Sequence, residues 1–168
     1  MTNPVVKAYL DNDIVSAIAR NDKPDQSDAL DRLLAAYEER RVDLVTSELT
    51  HQEIKNYKGN MRSSIERIFR LLAKVPIIRR DELIGINSQI DAKTVINSPM
   101  IHNDPMYDKL LRMGVKTVDA QHMFMATKSA CGFFLTCDKG ILSRSSAIGK
   151  LCGVTAQKPS DFVASQGW

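Results

Sequence analysis

The chain has 168 residues, 43% hydrophobic and 26% charged, with a formal net charge of +3; this suits one compact domain, since a single core grows comfortably to about 200 residues. No apolar run approaches the roughly 20 residues of a membrane span. The start, Met1-Thr2-Asn3-Pro4, lacks the basic, apolar and small-residue regions of a signal peptide, so a cytoplasmic location without membrane contact is expected.

In chain order, residues 5–10 read as a short apolar strand ending at Asp11, followed by a helical stretch over 12–19. After the polar loop 21–26, Ser27 is a plausible N-cap for a helix carrying Leu30, Leu33, Leu34 and Tyr37 at helical spacing, with Arg40 and Arg41 at its end. Residues 42–46 form a second strand, and another helix runs from Ser47 to about Tyr57, before Gly59. A helix over 61–74, an extended piece at 75–78 and a helix over 81–96 come next. Asp104 and Pro105 read as N-cap and first position of a helix reaching Met113, closed by Gly114. Asp119 opens a helix through Ser129, residues 133–136 form a buried strand ending before Asp138, and a helix near 143–151 and a strand at 154–156 complete the fold. Strands alternating with helices predict one α/β domain over 1–168, its central, mainly parallel sheet flanked by helices on both faces.

Chemistry on such a sheet collects beyond the carboxyl ends of its strands. Asp11 and Asp138 follow strands, Asp119 sits at a helix mouth, and Glu53 lies in the helix after the second strand. Crowded carboxylates repel unless a hard cation neutralises them, and magnesium or manganese prefers such oxygen donors. Each acid also has a structural role open to it. Asp11 and Asp119 suit N-caps, Glu53 completes a capping box with Thr50, and Asp138-Lys139-Gly140 suits a turn. Only their joint placement favours a site.

The three cysteines, Cys131, Cys137 and Cys152, form no C-x-x-C pair, and His51, His102 and His122 lack metal-ligand spacing, which disfavours disulfides and zinc. The mild positive charge permits a polyanionic partner. Arg67, Arg70 and Lys74 form a stripe for which a solvated helix face is the first reading and RNA phosphates the second.

Four segments in order carry a family likeness: residues 9–15 (YLDNDIV), 46–54 (TSELTHQEI), 117–123 (TVDAQHM) and 134–140 (FLTCDKG), with 158–162 (KPSDF) as a closing piece. With these, the chain resembles PIN-domain nucleases, including the VapC toxins of bacterial toxin–antitoxin pairs, over nearly its whole length. The resemblance implies that Asp11, Glu53, Asp119 and Asp138 are catalytic, metal-binding acids holding Mg2+ or Mn2+, and that a metal-activated water cleaves RNA. It implies that Thr136 helps order water or phosphate. It further implies a homodimer and, for a toxin, a silencing antitoxin protein. The chain departs from the family at Asp13, either an extra ligand or substrate contact or simply a first-turn helix acid, and at about 97–114, an insertion containing His102, Asp104 and Asp108 that reads first as a surface loop with a short helix and second as a cover for the site. Glu48 competes with Glu53 as ligand, and the motif selects Glu53. A catalytically silent PIN-like module binding RNA or protein is the alternative.

Overall fold

The computed structural model describes residues 5–14, 24–50, 77–78 and 104–168. They form β1 (Val6–Leu10), α1 (Pro24–Glu38), β2 (Val42–Ser47), β3 (Ile77–Ile78), α2 (Pro105–Arg112), α3 (Thr117–Lys128), β4 (Phe133–Leu135), α4 (Lys139–Leu142), α5 (Ser145–Cys152), β5 (Thr155–Gln157) and α6 (Pro159–Gln166). The helices expected over 61–74 and 81–96 lie outside the described residues, as do Glu53, the 67–74 basic stripe and the 97–103 part of the expected insertion.

The strands pair in the order β3-β2-β1-β4-β5, every pair parallel, so the fold is α/β. Near-continuous apolar strands such as VKAYL and FFL suit this, because a parallel strand is covered on both sides. Alternate residues of a strand point to opposite faces. Ala8, Leu10, Val42, Leu44 and Leu135 accordingly join one core, shared with α1 and α6 through Leu30, Leu33 and Phe162. Tyr9, Val45, Phe134 and Ala156 join another, shared with α2, α3 and α5 through Leu110, Met123 and Ile148.

Several boundaries differ from expectation for local reasons. α1 begins at Pro24, so Ser27 lies inside the helix rather than capping it; proline's fixed φ suits an opening turn. Gln26, near that start, reaches across to α6, its amide donating to Ser160 Oγ at 2.9 Å and its carbonyl accepting from the Ser160 N–H at 3.1 Å. α3 begins at Thr117, which moves Asp119 from the N-cap into the first turn. α6 replaces the open closing segment expected after 156; Pro159 opens it and Asp161 supports its first turn. α2 is as expected, with Asp104 accepting from the Met106 N–H at 2.9 Å and Gly114 at φ +80° turning the chain into α3. Among the described residues no helix is long and apolar enough to cross a membrane.

Candidate acid cluster at the sheet edge

β1 is the centre of the sheet. From it the chain first builds outward through β2 and β3, then returns to build β4 and β5 on the other side. In open α/β sheets the strand ends at such a reversal diverge and leave a crevice beyond the carboxyl edge, where ligands bind. The register Leu10↔Leu135 makes the next residues, Asp11 and Thr136, neighbours at that crevice.

The two turns are bonded together there. Thr136, fully buried, donates its hydroxyl to Asp11 Oδ2 at 2.8 Å and lies 3.1 Å from Asp13 Oδ1. The Thr136 hydroxyl oxygen in turn accepts from the Asp138 N–H at 3.1 Å. Asp13 Oδ2 accepts from the Cys137 N–H at 2.7 Å, and Asp138 Oδ1 from the Ile141 N–H at 3.0 Å, which makes Asp138 the N-cap of α4. One hydroxyl proton thus stands between two carboxylates, and Asp13 staples the 136–138 turn to the 11–13 turn. Gly140 suits this spot, because a Cβ there would stand 2.9 Å from Asp138 Oδ1 and push that carboxylate aside. Arg144 braces the turn from outside, its Nε donating to Met113 O at 3.0 Å and Nη1 to Gly140 O at 2.8 Å.

Asp11 is only 3% exposed, and burial above all lifts its pKa from the ordinary carboxyl value. The charge of His122, the Thr136 hydroxyl and the Asn12 N–H (2.8 Å) pull it down, while the charge of Asp119 pushes it up again. The fold therefore brings Asp11, Asp13, Thr136 and Asp138 into one bonded unit and sets Asp119 within electrostatic reach of Asp11. Glu53 lies outside the described residues.

Does a divalent cation suit these groups? Among the described residues no three Asp, Glu, His or Cys side chains stand close enough together to hold one. The donor chemistry nevertheless fits: the groups are hard oxygens, and Asp11 is an anion made unfavourable by burial and by a second acid. In addition, Asn12 Oδ1 is buried and finds no donor among the described residues. A surface cleft of about 370 Å³ lined by Tyr37, Glu38, Arg40 and Asp43 opens where β1 and β2 begin, at the opposite edge from the acids. We give the acid edge more weight, because bonded carboxylates rather than concavity mark it.

No protein-family model matches the chain, and no curated protein matches it. The resemblance to PIN domains therefore rests on the chain's own motifs. By sequence alone His122, one turn after Asp119, reads as a packed histidine or as a substrate contact, and Tyr9 and Ser47 do not stand out as single residues. All three are buried and mutually bonded beneath the cluster. The available signal was three polar side chains in otherwise apolar segments, each needing a buried partner.

Proposed function

We propose that the chain is a divalent-metal-dependent endoribonuclease of the PIN-domain kind, hydrolysing RNA phosphodiester bonds at the carboxyl edge of the sheet. The observation that carries this reading is the Asp11–Thr136–Asp138 unit at the reversal of strand order. Asp11 and Asp119, with Glu53, hold Mg2+ or Mn2+; Asp138 and the Thr136 hydroxyl orient water and phosphate. Bound there, the cation supplies a lowered water pKa and stabilises charge on the phosphate oxygens. Asp13 keeps the two acid-bearing turns together rather than serving as a further ligand, because both its oxygens already meet the 136–137 segment. On the same reading the protein is a cytoplasmic homodimer, a toxin restrained by an antitoxin protein.

Purified protein is expected to cleave RNA with Mn2+ and to stop on adding chelator. Asp11→Asn and Asp138→Asn each lose about a hundredfold or more in rate while keeping the fold. Undiminished cleavage by Asp11→Asn rejects the site. One observation favours a second reading, a silent module that binds RNA: Asp13 and Asp138 already accept backbone N–H groups. RNA retention without any Mn2+-dependent cleavage is its signature in the same assay.

A further inference from the structure

Beneath the acid cluster lies a second polar group that the nuclease reading leaves unused. Tyr9 on β1, Ser47 at the end of β2 and His122 within α3 are each at most 1% exposed. Buried hydroxyls and imidazoles left without partners cost about 1–3 kcal/mol each, and these satisfy one another. The Tyr9 hydroxyl donates to Ser47 Oγ at 2.6 Å and lies 2.7 Å from His122 Nδ1. A phenol has one proton; with it committed to Ser47, the His122 Nδ1–H donates to the Tyr9 oxygen, which fixes the ring's tautomer. Aromatic contacts fix the planes. Tyr9 stacks on Phe134 at 5.3 Å, and the His122 ring meets Tyr9 edge-on at 5.9 Å.

These anchors belong to the segments that carry the acids. Tyr9 precedes Asp11 by two residues, His122 follows Asp119 by one helical turn, and Ser47 ends the strand leading toward Glu53. The geometry points to His122, held by Tyr9 and Ser47, as a positioning residue that fixes the spacing of the Asp11 and Asp119 carboxylates and thereby sets the affinity for the divalent cation. This inference rests on the nuclease reading.

The test uses the full chain and Mn2+ alone, with binding followed by the electron paramagnetic resonance signal of the free ion and cleavage measured in parallel. Tyr9→Phe keeps the stacked ring but removes the hydroxyl; it and His122→Leu are expected to weaken Mn2+ binding about tenfold, the usual effect of losing an outer-layer partner. Saturating Mn2+ returns their RNA cleavage to within about threefold of wild type, since the ligands themselves remain. His122→Asn, whose amide can keep the bond to Tyr9, binds Mn2+ within about threefold of wild type. Wild-type Mn2+ affinity in Tyr9→Phe overturns the inference, as does an Asn variant no better than Leu. Should His122→Leu fail to fold, Tyr9→Phe against His122→Asn decides alone. A wild-type chain that neither binds Mn2+ nor cleaves RNA removes the nuclease reading itself, and this inference with it.

Discussion

At the scale of single residues, Asp11 is where stability and activity pull apart. Burial foremost lifts its pKa, so the folded chain holds that proton more tightly than the unfolded chain does. Where the native state binds more protons, stability falls as pH rises. The Asp11 contribution is therefore most favourable below the ordinary carboxyl pKa and declines as pH climbs through the lifted one. Asp11→Asn, which cannot ionise, is expected to melt above wild type in chelator, by a margin that widens from pH about 4 to about 8. Melting curves across that range check it, and a margin that stays constant contradicts the assignment. Asp11 and Asp138 could be read from the sequence because one directly follows an apolar strand and the other lies three residues beyond one, and parallel strands end together. The Tyr9–His122 bond could not, since its partners are 113 positions apart and nothing in either segment marks the other as its partner.

At the scale of elements, the helix ends follow a shared rule with two exceptions in residue type. α1, α2 and α3 each close with a bond from an N–H to the carbonyl five residues back: Arg41 to Ala36, Val115 to Leu110 and Cys131 to Ala126. That closure puts one residue at positive φ, a place that suits glycine. α2 uses Gly114, whereas α1 uses Arg40 at φ 59° and α3 uses Ala130 at φ 55°. The left-handed conformation costs an L-residue roughly 1–2 kcal/mol, offset in part by glycine's freedom when unfolded. Ala130→Gly, at an exposed position, is expected to stabilise the protein by about 0.5–1 kcal/mol in denaturant titrations; a loss of stability contradicts that account. The sequence announced α2 by Asp104-Pro105 and Gly114. It misplaced α3 because Lys116, which holds the N-cap position, makes no side-chain cap bond to mark it. α6 was missed because no side-chain cap bond marks its start at Lys158 and only two buried apolar side chains follow Pro159.

At the scale of the molecule, alternation of elements was legible and strand order was not, because order depends on which side of β1 the returning chain takes. That choice places Asp11 beside Thr136 and so makes the cluster. A cation held there links folding to its concentration. Mn2+ at about a hundred times its dissociation constant adds about 2.7 kcal/mol to stability, which for a chain of this size raises Tm by about 5–10 °C. Calorimetry with and without Mn2+ checks this, and Asp11→Asn is expected to show no rise. Equal shifts in both proteins place the cation elsewhere.

The bond from Thr136 to Asp11 joins residues 125 positions apart. During synthesis the first strand must therefore wait, its edge unfinished, until the 136–138 turn has been made. On the proposed nuclease reading, a chain that still lacks Thr136 would leave RNA uncut.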